Sequence, residues 1–214
     1  LNQTLPSNVP SPEQLVYIVD DDEALRDSLI WLLESTGLKS LAFDSAENFL
    51  AAYNPRMNGC LVLDIRMPGM SGLELHEKLL SMHSTLPIIF ITGHGDVPMA
   101  VSALKKGAID FIEKPFNDQE MVKLIRTALA EDLKRHDARR QEAEAQRRIE
   151  GLTPREREVL DLIVAGRLNK QIADDLGISI KTVEVHRARV MEKMGVNSLA
   201  ELVQHVMIST PKHE

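Results

Sequence analysis

Four short apolar runs mark the first half of the chain, and a polar or charged residue closes each one. Val16-Tyr17-Ile18-Val19 leads into Asp20-Asp21-Asp22, and Cys60-Leu61-Val62-Leu63 into Asp64. Ile88-Ile89-Phe90-Ile91 leads into Thr92, and Phe111-Ile112-Glu113 into Lys114. Runs of this length between turn residues predict buried strands, and 40–43 predicts another. Helical stretches alternate with them at 23–35, 46–53, 72–82 and 97–105, and a further helix starts near Asn117. Five such βα units predict a five-stranded doubly wound parallel sheet of α/β class. In that architecture, polar residues at the carboxyl ends of strands are where sites form.

The pattern changes after the fifth strand. No proline or glycine falls between Asp118 and about Arg148, and the residues after Leu133 are polar helix formers of mixed charge. Apolar positions are too sparse for a heptad seam. We read 131–149 as a solvated helical linker, ahead of a short coiled coil or a mobile tether. Four short helices then follow. Thr153 caps the first, with Pro154 at its first position and Glu156 closing a capping box. A helix over 170–176 stops at Gly177, and another over 181–194 stops at Gly195. The last is capped by Ser198 with Glu201. A helix, a turn around Gly177 and a second helix predict a helix-turn-helix inside an all-α four-helix domain. The expected organisation is a loose leader over 1–14, an α/β domain over 15–130, the linker over 131–149, the helical domain over 150–208 and a tail over 209–214.

Charge sharpens this division. Of the 214 residues, 43% are hydrophobic and only 4% aromatic, so Leu, Ile, Val, Ala and Met must fill the cores. The net charge of −7 belongs to residues 1–130, which carry 10 basic and 17 acidic side chains. Residues 151–214 carry nine of each, so any nucleic-acid binding there must come from local placement of charge. The single cysteine, Cys60, excludes an intrachain disulfide framework and reads as a small buried strand residue. No membrane-spanning run and no signal-peptide pattern is present, which points to a cytoplasmic protein.

The strand-end residues suggest chemistry. Asp20, Asp21 and Asp64 supply carboxylates, and the Arg66 carbonyl a further oxygen, for a hard cation such as Mg²⁺. Asp64 can then act as a nucleophile toward a phosphoryl group, with Thr92 donating a hydroxyl and Lys114 an ammonium to its oxygens. Residues 15–130 resemble the receiver domain of two-component response regulators. The likeness rests on Val19-Asp20-Asp21, on Asp64-Ile65-Arg66-Met67-Pro68-Gly69-Met70-Ser71-Gly72, on Thr92-Gly93 and on Lys114-Pro115-Phe116. It implies a flavodoxin-like fold, with Asp64 accepting phosphate from a histidine kinase. Mg²⁺, or Mn²⁺ in its place, would be held by Asp20, Asp21, Asp64 and the Arg66 carbonyl. It also implies a cis Lys114–Pro115 bond, and a switch in which Thr92 and Phe111 move together. His94 reads as a loop residue rather than a catalyst.

In the helical domain, Val183, Val190 and Met194 form an inward stripe, with Arg187 near its edge. Thr182, Glu184, Val185, Ala188 and Arg189 face outward, where a second helix of this motif meets base edges. Lys170, Lys181 and Lys193 suit phosphates. The order Leu152-Thr153-Pro154-Arg155-Glu156, Asn169-Lys170-Gln171-Ile172-Ala173, Leu176-Gly177-Ile178-Ser179 and Thr182-Val183-Glu184-Val185-His186 resembles the LuxR-type domain. With a receiver in front, the chain is identified as a member of the FixJ/NarL family, leaning toward the FixJ branch. That resemblance implies a transcriptional regulator rather than an enzyme with a turnover substrate. Its partners would be a cognate sensor histidine kinase, promoter DNA and RNA polymerase, with a homodimer on phosphorylation and no membrane. Two other readings are weaker. A phosphotransfer adaptor would not need the match from Thr153 to His186, and a phosphatase with an aspartate nucleophile would need a cap insertion that these short loops lack.

Overall fold

The computed structural model describes residues 14–93 and 96–209. Most of the expected leader, nearly all of the tail, and His94 lie outside them. Five parallel strands form one sheet in the order β2-β1-β3-β4-β5. They are β1 (Leu15–Val19), β2 (Ser40–Phe43), β3 (Gly59–Asp64), β4 (Ile88–Thr92) and β5 (Asp110–Glu113). The helices between them are α1 (Glu23–Ser35), α2 (Ala46–Ala52), α3 (Gly72–Ser81) and α4 (Val97–Lys105), followed by α5 (Asp118–Glu150). All five strands and their helices fall where the hydrophobic pattern places them, with ends differing by one or two residues.

The sheet is covered on both faces, as a parallel sheet requires. Tyr17, Val19, Leu61, Leu63 and Phe90 pack on one side with Phe49, Leu75, Leu79 and Ala103 from α2, α3 and α4. Val16, Ile18, Val62, Ile89 and Ile91 pack on the other with Leu29 and Leu33 of α1 and Met121 and Ile125 of α5. Residues of central β3 therefore alternate between two cores, and every one of them is buried. Strand order reverses between β1 and β3, so the crevice at their carboxyl ends is the topological switch point.

Two glycines make this arrangement possible. Gly59 opens β3 at φ 126°, where a Cβ would lie 1.8 Å from the Leu15 carbonyl oxygen. Gly72 starts α3 so close to the end of β3 that a Cβ would lie 2.1 Å from the Asp64 carbonyl oxygen. Only hydrogen in place of the side chain lets α3 begin beside Asp64.

The chain divides into two compact units, residues 1–135 and 136–214, and α5 contributes to both. The linker expected over 131–149 is correspondingly shorter. Asp132 is 2% exposed and accepts the Gly59 backbone N–H at 2.8 Å, so it belongs to the first unit. Ala145 and Ile149 are buried, and Ile149 joins the core of the second. Only 137–144 are exposed throughout. Ala145 and Ile149 are four residues apart and so share one helix face, enough apolar surface to dock a single turn.

The second unit adds α6 (Pro154–Val164), α7 (Asn169–Leu176), α8 (Ile180–Met194) and α9 (Leu199–Ser209). Val159, Leu160, Ile163, Ile172, Val183, Val190, Met194 and Leu202 meet in its core. The Thr153–Glu156 capping box forms as the sequence predicts. At α9 the Ser198 hydroxyl accepts the Glu201 N–H, but the Glu201 carboxylate reaches back to the Asn197 N–H instead of closing on Ser198. Gly177 at φ 64° ends α7 and turns the chain into α8.

Candidate functional site

The register sets the site. Val19 pairs with Leu63, so Asp20 and Asp64 emerge side by side from adjacent strands. Asp64 pairs with Ile91, and Thr92 with Glu113, which brings Thr92 and Lys114 to the same edge. The Lys114 N–H donates to the Thr92 carbonyl at 2.8 Å, and the Lys114–Pro115 bond is cis. The Lys114 ammonium donates to Asp64 Oδ1 at 2.7 Å and to Asp20 Oδ2 at 3.0 Å. The other oxygens are held by backbone. Asp20 Oδ1 accepts the Asp22 N–H, and Asp64 Oδ2 accepts the Arg66 N–H, each at 2.8 Å. Arg26 of α1 donates to the Asp20 carbonyl at 2.7 Å.

Burial pushes the Asp64 carboxyl above the ordinary aspartate range, and nearby Asp20 adds to this, against the pull of Lys114. For Lys114, burial favours the neutral amine, but its bonds to Asp64 and Asp20 win and hold the ammonium above the usual lysine range. One cation is thus shared between two buried carboxylates. The Thr92 hydroxyl is fully buried and has no hydrogen-bond partner among the described residues. An orphaned group of this kind costs about 1–3 kcal/mol. Phe111 is half-buried against the α2–α4 side of the sheet.

Of the expected metal ligands, the structure brings Asp20 and Asp64 onto one cation and leaves Asp21 exposed. Among the described residues no three His, Cys, Asp or Glu side chains are gathered as a metal cluster. The donor set still suits a hard divalent ion. Every donor is an oxygen, two carboxylates already converge on one cation, and Mg²⁺ usually takes one or two carboxylates with water completing its shell.

Sequence reasoning missed Asp96. It is 2% exposed and binds the Arg66 guanidinium through contacts of 2.5 and 2.8 Å. Directly before a helix it has the signature of an N-cap, which hid its pairing with a residue thirty positions earlier.

On α8, Val183, Val190 and Met194 are buried, while Lys181, Thr182, Glu184, Val185, Ala188 and Arg189 are exposed, as is Lys170 on α7. The Thr182 hydroxyl is shared with Ser179, which caps α8. Lys193, expected at a phosphate, has a different partner. It donates to the buried Glu156 carboxylate at 2.6 Å and to the Gly151 carbonyl at 3.3 Å. Arg148 of α5 donates to the Met194 carbonyl at 2.6 Å and so ties down the end of α8.

The Lys193 bond, with the Thr153 N–H, lowers the Glu156 carboxyl to about 2. A depressed acid stabilises the fold above its ordinary value near 4.5 and loses that contribution as pH falls toward 2. Glu156→Gln is therefore expected to lower the melting temperature of the second unit at pH 7 but to matter little at pH 2.5. Thermal unfolding at both pH values checks this, and an equal loss at both contradicts it.

A doubly wound sheet with a buried acidic pair, a lysine and a threonine at its switch point, joined to a helix-turn-helix, defines a signalling protein with a DNA-binding output. Residues 16–126 match the response regulator receiver domain, and residues 150–206 match the luxR family of bacterial regulatory proteins. The chain belongs to the response regulators with a LuxR-type output domain, and it is a phosphorylation-dependent transcriptional regulator. It is 50% identical over 202 residues to the transcriptional regulatory protein FixJ of Azorhizobium caulinodans, covering 92% of this chain and 94% of that one. It is 45% identical over 194 residues to nodulation protein W of Bradyrhizobium diazoefficiens, covering 91% and 86%. Among solved structures, the response regulator StyR shares 46% identity at a TM-score of 0.82, covering 91% of this chain and 98% of that one. Full-length FixJ from B. japonicum shares 46% at a TM-score of 0.58, covering 92% and 97%. Among the described residues no helix is long and apolar enough to cross a membrane.

Proposed function

We propose that Asp64 takes a phosphoryl group from a cognate sensor histidine kinase and that this modification drives dimerisation and promoter binding. The observation that carries the reading is the shared cation: Lys114 bonds Asp64 and Asp20 together at the switch point. The Asp64 carboxylate attacks phosphorus, and the kinase histidine leaves. Lys114 then neutralises one phosphoryl oxygen, and the orphaned Thr92 hydroxyl donates to another. As Thr92 shifts, Phe111 moves inward behind it. Asp20, Asp21, Asp64 and the Arg66 carbonyl would hold Mg²⁺, with Mn²⁺ as a substitute. When bound, the metal offsets the negative charge of the incoming group. The protein turns over no substrate beyond its own phosphoryl group, and it works in the cytoplasm.

In the second unit, Glu184, Val185, Ala188 and Arg189 read base edges, with Thr182 beside them. Lys170 and Lys181 serve phosphates, since Lys193 already serves Glu156. One neutral module of this size needs a second copy for affinity, so a dimer on two half-sites, recruiting RNA polymerase, is the active form. Selection from a random DNA pool, with and without acyl phosphate, tests both halves. A paired site enriched more strongly with acyl phosphate is the expected result. No enrichment defeats DNA reading, and equal enrichment defeats the coupling.

A further inference from the structure

The Arg66–Asp96 pair lies outside the phosphoacceptor constellation, yet one of its members touches it. Arg66 gives its backbone N–H to Asp64 Oδ2 at 2.8 Å and its guanidinium to Asp96 at 2.5–2.8 Å. A single residue thus joins the phosphoacceptor to the start of α4. Asp96 occupies the N-cap position of α4 at φ −95° and ψ −2°, but its carboxylate makes no cap hydrogen bond. It faces Arg66 instead, and it is buried while the Arg66 side chain is 73% exposed. Besides the Gly93 backbone, the Asp96 carboxylate has one side-chain partner among the described residues, and that partner is a long, solvated arginine able to swing away.

Among the side chains that the structure describes, α4 has Ala103 fully buried and Val101, Ser102 and Lys105 exposed. A cavity of about 110 Å³ separates its inner face from α3, lined by Leu73, His76, Met99, Ser102 and Ala103. Beyond the end of the helix, Lys106 bonds Glu77 of α3 at 2.6 Å, but both side chains are more than half exposed. Exposed pairs of that kind contribute little, whereas a forked guanidinium on a buried carboxylate contributes more. The N-terminal pair is therefore the stronger fastening, and the cavity gives the helix room to shift once it opens.

We propose that the Arg66–Asp96 pair is a latch that holds the N-terminus of α4 in the unphosphorylated protein. A phosphoryl group on Asp64 opens it by drawing the Arg66 guanidinium off Asp96. The phosphoryl group brings close to two negative charges and three acceptor oxygens to a carboxylate that Arg66 already touches through its backbone. Arg66 then exchanges one anionic partner for another, and Asp96 is freed to cap α4 in a shifted position. Arg66 and Asp96 are positioning residues on this account. The inference rests on the reading of Asp64 as phosphoacceptor, but its first test does not need phosphate.

The test is hydrogen–deuterium exchange on the full chain, following peptides across 96–106, for the parent, Arg66→Gln, Asp96→Asn and the double variant. Without a phosphodonor, both single variants are expected to exchange at the start of α4 roughly tenfold to a hundredfold faster than the parent, the factor set by loss of a charge-assisted bond. The double variant should be no faster than the faster single, because the two side chains act as one unit. Adding acyl phosphate should move the parent toward the variants and leave the variants little changed. Single variants as slow as the parent overturn the latch, and so do strictly additive effects. A parent that takes up phosphate while α4 stays slow overturns the opening step. A parent that takes up no phosphate at all refutes the reading of Asp64 instead. The exchange of α3 peptides in every variant confirms that the fold persists.

Discussion

Asp64→Asn is expected to reduce phosphate incorporation from an acyl phosphate to background while leaving the fold intact. Asn is isosteric with Asp but carries no negative charge with which to attack phosphorus. Lys114 keeps a partner, because Asp20 lies 3.0 Å from its ammonium. Burial already works against the Asp64 carboxylate, so a neutral side chain in its place relieves that strain. The melting temperature should stay within a few degrees of the parent or rise. Intact mass after acyl phosphate treatment reads the modification, and calorimetry reads the fold. Full phosphate uptake by the variant would place the acceptor elsewhere. Phosphorylation-dependent dimerisation should vanish with the carboxylate. A variant that still dimerises on phosphodonor addition separates dimer formation from Asp64.

Val185→Ala and Arg189→Ala are expected to weaken binding to the selected DNA by roughly tenfold to a hundredfold each, the scale of one lost base contact at about 1–3 kcal/mol. Both side chains stand on the exposed face of α8, where they support no core, so neither change should alter the melting temperature. Phosphate uptake should be untouched as well, because Asp64 lies in the other unit. Lys170→Ala and Lys181→Ala should behave differently. They should weaken binding to all sequences alike and lower the salt dependence by about one counterion each. Gel-shift titration at several salt concentrations distinguishes the two kinds of loss. If Val185→Ala and Arg189→Ala bind as the parent does, the reading face is wrongly assigned.

The two constellations differ in how far sequence alone reaches. The strand-end pattern places Asp20, Asp64, Thr92 and Lys114, because in a parallel sheet the last residue of each buried run emerges at the same edge. The periodicity of α8 likewise separates Val183, Val190 and Met194 from Glu184, Val185 and Arg189, because helix geometry alone assigns the faces. Lys193 shows the limit of that argument. It is solvated by pattern, yet it reaches Glu156 thirty-seven positions earlier. Helical periodicity says which way a side chain leaves its own helix and nothing about what another helix brings to meet it. Asp132 shows the same limit. It reads as solvated until the start of β3 is folded beside it and donates the Gly59 N–H.

By itself, then, the sequence determined the two kinds of fold, the order of elements, the acidic pair with its lysine and threonine, and the outward face of the recognition helix. All of these follow from local periodicity and from the ends of apolar runs, which are properties of consecutive residues. Only the tertiary structure decided which charges meet. It paired Arg66 with Asp96, Lys193 with Glu156, Arg148 with the end of α8, and Asp132 with Gly59. It also buried the Thr92 hydroxyl with no partner among the described residues. Ion pairs and caps of this kind depend on distances of 2.5–3 Å between residues far apart in the chain. Hydrophobic pattern carries no information at that precision, because burial constrains which side of an element faces inward but not which polar atom waits opposite.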